Sequence, residues 1–407
     1  MAVFITDGDQ RSALAVVRSL GRAGVTVTVG ESQVPNIAGT SRYCSKRVSY
    51  PSPAEDGERF LAFLREQLAG EEYELLLPMT DITMQLVASA RGSFPASVRV
   101  PFPGREQVCL AQDKGHVLDL AQRLGIPCPE TFFCDEKTVE EVAGTLRYPV
   151  VVKPRFSRAL RDGRWVHGAV RYAHDPASFV ASYRQAHASV PCPIVQEKLE
   201  GEGRGVFLLI WKGELKAAFC HRRLREKPPW GGVSVYCESL PLDRDLADQS
   251  YALLKAMGWE GVAMAEFKVD GRDNQPKLME VNGRFWGSLQ LAIDAGINFP
   301  HLLYRCARGE EVPAQLEYKP GVKSRWLLGD LDHLLIKLTH AQSPNGARYS
   351  WGSRFAAAAS FLKFYERGLR YDVQRLDDPA PGWCEIKSYV RDSLRGLMSR
   401  GKEGRAS

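Results

Sequence analysis

Two glutamates and an asparagine have the types and the spacing to bind a divalent cation. Glu280 and Asn282 lie two residues apart in Pro276–Asn282, a segment that predicts a strand. Alternate residues of a strand face the same side, so these side chains should project together, roughly 6–7 Å apart. Glu266 lies in the preceding predicted strand, Gly261–Asp270, and antiparallel pairing would bring it to the same face. Carboxylate and amide oxygens are hard ligands that suit Mg²⁺.

The alternative is that both glutamates lie on the solvated face of a hairpin, which is the more common arrangement for two isolated carboxylates. Here apolar residues flank each glutamate, and Arg284, Phe285 and Trp286 follow the second one directly. That environment favours a metal site over a solvated hairpin.

Two lysines have positions that suit phosphate binding. Lys153 ends a predicted buried strand, Tyr148–Lys153, where the chain turns at Pro154. Lys114 lies in the first turn of a helix that Asp113 is expected to cap. A helix N-terminus attracts anions, so a lysine there is unfavourable unless an anion such as phosphate accompanies it. A single lysine usually extends its ammonium group into water, and only the combination with the carboxylates favours a phosphate site.

The first hundred residues alternate strand-like and helix-like segments, which predicts a small parallel sheet covered by helices. The predicted strands are Ala2–Thr6, Val25–Val29 and Leu75–Pro78, and the predicted helices are Arg11–Ala23, Arg59–Leu68 and Ile82–Ala90. The turn after the first strand, Asp7–Gln10, lacks GxGxxG, so a dinucleotide site is not expected there. Thr80 and Asp81 could bind an amine substrate at the carboxyl end of a strand, but the sequence favours a capping role.

The second half of the core is predicted to hold an antiparallel-rich sheet with few helices. Besides the segments above, we expect strands at Ile194–Lys198, Val206–Trp211 and Leu215–Cys220 and helices from Asp113 to Leu124 and at Leu246–Met257. Near the C-terminus, Phe355–Tyr365 predicts an amphipathic helix, and a basic tail follows Glu385. A packing helix and a solvated tail are the simpler interpretation, and contact with a membrane surface is the alternative.

Five ordered segments resemble the ATP-grasp superfamily, within it the carboxylate–amine ligase-like branch. They are Asp113–Thr131, Tyr148–Pro154, Ile194–Gly203, Gly261–Asp270 and Leu278–Ser288. The resemblance implies an α/β and α+β fold: a parallel pre-ATP-grasp α/β domain, a two-subdomain ATP-grasp fold and a C-terminal extension. The implied bounds are 1–105 for the first domain, 106–192 and 193–315 for the two subdomains, and 316–407 for a helical extension.

The resemblance also implies roles for individual residues. Lys114 and Lys153 resemble the lysines that contact the phosphates of the nucleotide. The hinge whose backbone contacts the adenine edge is matched by Gln196, Glu197, Lys198 and Leu199, and Glu202 resembles the residue that binds the ribose hydroxyls. Those resembling Mg²⁺ ligands are Glu266, Glu280 and Asn282, and Arg284 resembles the arginine that holds the transferring phosphate or acyl-phosphate. Relatives often have proline where this chain has Gly283, and their phosphate lid is richer in glycine than Arg155–Gly168.

By this resemblance the chain would be an ATP-grasp carboxylate–amine ligase. It would use ATP and Mg²⁺, with Mn²⁺ as a substitute, to activate a small-molecule carboxylate as an acyl-phosphate and join it to an amine, releasing ADP and phosphate. The alternatives are carboxylation through carboxyphosphate, as in biotin-carboxylase-like relatives, and a non-catalytic nucleotide-binding regulator. A dinucleotide oxidoreductase is the least favoured.

A basic segment near residue 220 is a candidate substrate-binding element. His221, Arg222, Arg223, Arg225 and Lys227 precede the Pro-Pro-Trp-Gly-Gly sequence. A flexible loop there could close over an acidic substrate and exclude water, while an exposed hairpin with solvated arginines explains the pattern equally well. Arg223 is the expected clamp for a substrate carboxylate, because a guanidinium binds carboxylate in bidentate fashion.

The composition limits the remaining classes. The 407 residues are 44% hydrophobic and 25% charged, which is typical of a globular chain of two to four domains at roughly 100–200 residues each. A net charge of +6 is too mild to indicate nucleic-acid binding. The nine cysteines are scattered and form no CxxC pair, which favours reduced thiols. The sequence shows no signal sequence and no transmembrane segment, so a cytoplasmic protein is expected. The sequence leaves open whether the protein forms a homo-oligomer.

Overall fold

The computed structural model describes residues 2–161 and 163–403, with the side chains of 396–403 excepted. It has the predicted α/β and α+β architecture: a parallel N-terminal sheet, two largely antiparallel sheets and a C-terminal segment. The end of the predicted basic tail, residues 404–407, lies outside this range. No helix of the described residues is long and apolar enough to cross a membrane.

The N-terminal unit is a parallel sheet with helices, as predicted. Its strands, in spatial order, are β3 (Lys46–Ser49), β2 (Thr26–Glu31), β1 (Ala2–Ile5) and β4 (Tyr73–Leu77). The helices are α1 (Arg11–Arg22), α2 (Gly57–Gly70) and α3 (Asp81–Ser89), followed by a 3₁₀ turn at Arg91–Ser93. Thr80 accepts a hydrogen bond from the Thr83 amide and caps α3, so its predicted capping role is confirmed.

A second unit supplies the lysines. The helices are α4 (Arg105–Gln112), α5 (Lys114–Arg123), α6 (Val139–Ala143) and α7 (Pro176–Ser189). The unit also has an antiparallel sheet with the spatial order β5 (Thr131–Phe132), β10 (Ile194–Glu197), β6 (Val150–Lys153) and β9 (Arg171–Ala173). Strands β7 (Arg158–Arg161) and β8 (Arg164–His167) form a separate hairpin. Val152, Phe179 and Val195 form the centre of its apolar core. Asp113 caps α5 as expected, accepting hydrogen bonds from the amides of Gly115 and His116.

The large sheet carries the acidic residues. Its spatial order is β15 (Pro276–Asn282), β14 (Gly261–Val269), β11 (Gly203–Trp211), β12 (Glu214–Lys227), β13 (Val233–Ser239), β16 (Lys323–Arg325) and β17 (Leu369–Tyr371). All neighbours are antiparallel except β16 and β17. The accompanying helices are α8 (Arg244–Ala256), α9 (Leu289–Ala295) and α10 (Phe299–Ala307).

The C-terminal segment is less purely helical than the predicted extension over 316–407. It contains α11 (Leu327–Thr339), α12 (Trp351–Phe361) and α13 (Ala380–Glu403). It also supplies β16 and β17, which extend the large sheet beyond β13. These strands have three residues each and carry basic side chains, so the sequence offered no apolar alternation to indicate them.

Candidate active site

The predicted metal ligands come together on the β14–β15 hairpin. Glu266 and Glu280 are direct partners across the two strands, and Asn282 is the partner of Met264. Directly opposed residues of an antiparallel pair have Cβ atoms about 4.5–5.5 Å apart. The Asn282 amide donates to Oε1 of Glu280 over 3.1 Å. Three oxygen-bearing side chains therefore occupy neighbouring positions on adjacent strands.

Both predicted phosphate lysines approach this hairpin from the second unit. Lys114, at the start of α5, has its Nζ 3.3 Å from Oε2 of Glu280 and donates to Ser157 over 2.8 Å. Lys153 ends β6, and burial lowers its pKa to about 8, although Glu280 and Glu266 oppose that shift. A lysine with this pKa carries its proton at neutral pH and loses it under mildly alkaline conditions.

The two glutamates have opposite electrostatic environments. Burial disfavours the charge of Glu280, but Lys114, the Asn282 amide and Lys153 outweigh it and lower the pKa to about 2. Burial raises the pKa of Glu266, and the nearby Glu280 adds to that rise while Arg223 opposes it. The site therefore holds one strongly ionised carboxylate next to a second whose charge depends on its arginine partner.

Arg223 reaches the metal ligands from β12. Its Nη1 donates to Oε1 of Glu266 over 2.9 Å, its Nη2 pairs with the second oxygen, and Nη1 also donates to Glu226 over 3.0 Å. The side chain is 9% exposed. A Cβ at Gly203 would lie 3.1 Å from Cδ of Arg223, so the absence of a side chain there leaves room for this crossing. Arg223 thus lies in the site, where it binds one of the candidate ligands.

Arg284 links the site to the N-terminal unit. Its Nε donates to Oδ1 of Asp81 over 2.7 Å, and its Nη2 donates to Oδ2 over 3.2 Å. The same Nη2 lies 3.4 Å from Oδ1 of Asn282. The sequence did not predict this role of Asp81, because the two partners are 203 positions apart. The cleft between these groups is lined by Asp81, Gln112, Lys114, Ser157, Arg158, Glu280, Val281 and Asn282.

The predicted adenine hinge connects the two sheets, since it runs from the end of β10 to the start of β11. Gln196 is buried, and its Nε2 donates to Thr131 over 3.0 Å while its Oε1 has no partner among the described residues. Glu197 accepts from the Glu130 amide over 3.0 Å. Leu199 is buried.

The hinge continues through two charged residues. The ammonium of Lys198 donates to Glu200 over 2.6 Å and to the carbonyl of Asn345 over 3.0 Å. Glu202 accepts from Arg204 over 2.9 Å and from Arg222 over 3.4 Å. Each of its oxygens accepts one of these bonds and retains a further lone pair that can accept from a ribose hydroxyl.

The two departures from the family pattern have local explanations. A Cβ at Gly283 would lie 2.1 Å from Cη2 of the buried Trp259, so the indole occupies the space that a proline ring would need. The arginine-rich segment Arg155–Gly168 contains the β7–β8 hairpin, and Ser157 and Arg158 from it line the cleft. That position is compatible with a phosphate lid.

The basic segment belongs to a β-hairpin whose turn is the Pro-Pro-Trp-Gly-Gly sequence, and its arginines are paired rather than solvated. Residues 221–227 extend β12, and only residues 228–232 form the turn to β13. Arg222 pairs with Glu238, while Arg225 and Lys227 pair with Asp330 and Asp332 of α11. His221, which was counted among the basic side chains, is neutral because burial lowers its pKa to about 3. The acidic partners come from other elements, so the local sequence could not show them.

The donor set fits a magnesium ion that is shared with a nucleotide. Among the residues that the structure describes, no three His, Cys, Asp or Glu side chains form a metal-binding group. Mg²⁺ typically takes one or two carboxylates from a protein and completes its shell with water and substrate phosphates. Glu266, Glu280 and Asn282, opposite two lysines, have that chemistry.

A parallel α/β unit followed by two antiparallel sheets that meet at one charged cleft is the architecture of an ATP-grasp protein. A family model described as "ATP-grasp in the biosynthetic pathway with Ter operon" matches residues 189–329. Over these residues the match confirms the resemblance to the ATP-grasp superfamily that the sequence indicated. No curated protein sequence matches it significantly.

Several solved structures share the fold at low sequence identity. The biotin carboxylase domain of Hydrogenobacter thermophilus 2-oxoglutarate carboxylase, solved with MgADP and bicarbonate, has a TM-score of 0.62 and 14% identity over 79% of this chain and 73% of its own. An L-amino acid ligase from Bacillus licheniformis has a TM-score of 0.58 and 17% identity over 75% and 74%. N5-carboxyaminoimidazole synthetase from Staphylococcus aureus, solved with ADP, has a TM-score of 0.61 and 14% identity over 79% and 80%.

Proposed function

We propose that the protein is an ATP- and Mg²⁺-dependent ligase that activates a small-molecule carboxylate as an acyl-phosphate and joins it to an amine. The observation that carries the proposal is the position of Glu280, an ionised carboxylate in register with Glu266 and close to Lys114 and Lys153 of the second unit. Opposed acidic and ammonium groups of this kind suit a metal–triphosphate complex, in which each charge meets its opposite.

Each side chain of the site has a role in this reaction. Glu266, Glu280 and Asn282 would hold Mg²⁺, which supplies positive charge to the phosphate oxygens when it is bound. Lys114 and Lys153 bind phosphate oxygens from the opposite side of the cleft. The hinge Gln196–Leu199 binds adenine through its backbone, and Glu202 binds the ribose.

The two arginines act on the acyl group. Arg223 binds the substrate carboxylate in bidentate fashion, and Arg284, held by Asp81, binds the transferring phosphoryl group and the acyl-phosphate. A free carboxylate is a poor electrophile because it is anionic and resonance-stabilised. Transfer of the γ-phosphoryl group to one of its oxygens releases ADP. The amine then attacks the carbonyl carbon, and the tetrahedral species breaks its bond to phosphate and loses a proton to give the amide.

Ligand binding exchanges charge partners that are already present. Glu266 is paired with Arg223, and Glu280 with Lys114. In the reactive complex Glu266 and Glu280 would hold the metal, Lys114 would bind a phosphate, and Arg223 would bind the substrate carboxylate. Every charge keeps an opposite partner, so no group is left buried and unpaired.

A second candidate reaction is carboxylation through carboxyphosphate, in which bicarbonate is the activated carboxylate. It is supported by the shared fold with the biotin carboxylase domain that was solved with bicarbonate. ATP turnover that requires bicarbonate, and that does not respond to organic carboxylates, would select it over the amide-forming reaction.

The test is to incubate the protein with ATP, Mg²⁺ and pooled carboxylates and to trap acyl-phosphate with hydroxylamine. We expect a hydroxamate together with ADP, whereas AMP and pyrophosphate would contradict the mechanism. Glu280→Gln should lower turnover by about 100-fold or more, because it removes a ligand charge while keeping the shape of the side chain. Glu214→Gln is the matched control, since Glu214 is 71% exposed and pairs with Lys216 on the β11–β12 turn. A near-normal rate in Glu280→Gln would reject the ligand assignment.

A further inference from the structure

The side of helix α11 that packs against the protein carries polar residues. Its buried residues are Gly329, Asp330 and His333. Asp330 binds Arg225 and Arg325, and His333 binds the carbonyl of Glu226. The leucines of the same helix are not buried, and Leu335 and Leu338 are 43% and 41% exposed. This is the reverse of the usual surface helix, in which the apolar stripe faces the core.

Helix α12 packs against α11 and also turns its apolar side outward. Trp351, Phe355 and Leu362 follow each other at helical spacing on one face and are 85%, 77% and 66% exposed. Tyr365, just after the helix, is 92% exposed, and Phe364 beside it is 49% exposed. We call these residues, with Leu335 and Leu338, the outward apolar face. Exposed apolar side chains concentrated on two packed helices in this way mark an interaction site.

The unpaired charges around the outward apolar face have one sign. Arg348, Lys363, Arg367 and Arg370 are exposed, and none forms a salt bridge with any residue that the structure describes. The acidic residues of the same segment already have partners, although the Glu366 side chain is 39% exposed. Asp330 and Asp332 bind cations of β12, and Glu366 binds Lys323 and Tyr236. The surface is therefore both apolar and positively charged.

We infer that the outward apolar face is a docking site for an anionic lipid surface. Aromatic and leucine side chains flanked by arginine and lysine are the composition of helices that lie in the membrane interface, where the rings enter the headgroup region and the cations meet acidic lipids. A second copy of the chain fits less well. In a two-fold dimer the same patch faces itself, so the unpaired cations would meet each other.

The test is co-sedimentation of the full-length protein with vesicles of phosphatidylcholine, with and without phosphatidylglycerol. We expect binding to the vesicles that contain phosphatidylglycerol, weakening as salt is raised, and little binding to phosphatidylcholine alone. The double variant Trp351→Ser with Phe355→Ser should lower the partition coefficient by about tenfold or more, because both rings lose their apolar contact. Reversing the charges of Arg367 and Arg370 should produce a loss of similar size.

Leu376→Ser is the matched control, because this residue is fully exposed and lies outside the outward apolar face. It should bind vesicles like the unaltered chain, and light scattering and thermal unfolding should confirm that every variant keeps its fold. Equal binding to both vesicle types, or none to either, overturns the inference. A dimer that the Trp351 and Phe355 substitutions convert to a monomer, without vesicle binding, would assign the surface to a second copy. Carboxylate–amine ligation is measured separately, so either proposal can fail alone.

Discussion

Asp378 and Asp377 provide a matched pair for testing how the C-terminal segment is attached to the N-terminal unit. Both aspartates pair with arginines of α1. Asp378 binds Arg18 over 2.8 Å with both side chains 1% exposed, whereas Asp377 pairs with Arg22 at 51% and 37% exposure. We predict that Asp378→Ala strongly destabilises the contact and that Asp377→Ala barely affects it.

The magnitude follows from the bonds of Arg18. Its guanidinium donates to the Asp378 carboxylate and to the carbonyls of Asp372, Val373 and Asp378, over 2.8 to 3.2 Å. Removing the carboxylate leaves this cation buried without its counter-charge and deprives Ser41 of an acceptor. Breaking a buried pair in this way costs about 3–5 kcal/mol. The exposed pair is worth about 0–1 kcal/mol, since water and salt screen it.

Hydrogen exchange of the peptides that cover residues 371–379 and α1 measures this difference locally, without requiring the whole chain to unfold in one step. About 1.4 kcal/mol corresponds to tenfold, so Asp378→Ala should accelerate exchange by about a hundredfold or more. Asp377→Ala should accelerate it by less than about sixfold. Equal effects in the two variants, or a small effect of Asp378→Ala, would refute the view that burial determines how much each ion pair stabilises the contact.

Two further predictions concern the site itself. Lys153 has a pKa of about 8, so its positive charge is present below that pH and is lost above it. The affinity for ATP should therefore fall as the pH rises through this value, which titration calorimetry would measure. In Glu280→Gln the midpoint of that fall should move to lower pH, because Glu280 raises the pKa of Lys153, and an unchanged midpoint would contradict the coupling. Gly283→Pro introduces the residue common in relatives, and its ring would meet Trp259. We expect the free energy of unfolding to fall by about 1–3 kcal/mol, measured by thermal unfolding. An unchanged unfolding temperature would show that the indole moves to make room.

The parts of the fold that the sequence predicts are those whose residues are apolar in a regular pattern. β1, β4, β6 and β14 are mostly buried runs whose limits differ from the prediction by one or two residues, and β15 has the predicted limits. Among the strands that were missed, β3, β16 and β17 are short edge or near-edge strands rich in basic residues. Their pairing depends on neighbours that are distant in the chain, and no local pattern carries that information.

The same distinction applies to the site. Residue types, spacing and the family resemblance indicated Glu266, Glu280 and the two lysines, and the structure brings them together. What the sequence could not give were the partners that hold these side chains. Arg223 contacts Glu266 across 43 positions, and Arg284 contacts Asp81 across 203. Such pairs depend on how separate units meet, which is a property of the tertiary structure.

The C-terminal segment takes part in the site through β12, although none of its residues lines the candidate cleft. Asp330 and Asp332 of α11 bind Arg225 and Lys227 at the far end of that strand. Arg223, two residues before Arg225, binds Glu266 from the same strand. The anchoring of β12 by α11 therefore holds the strand from which Arg223 contacts the candidate metal ligand Glu266. The segment after residue 316 therefore packs against the strand that supplies Arg223 to the candidate active site.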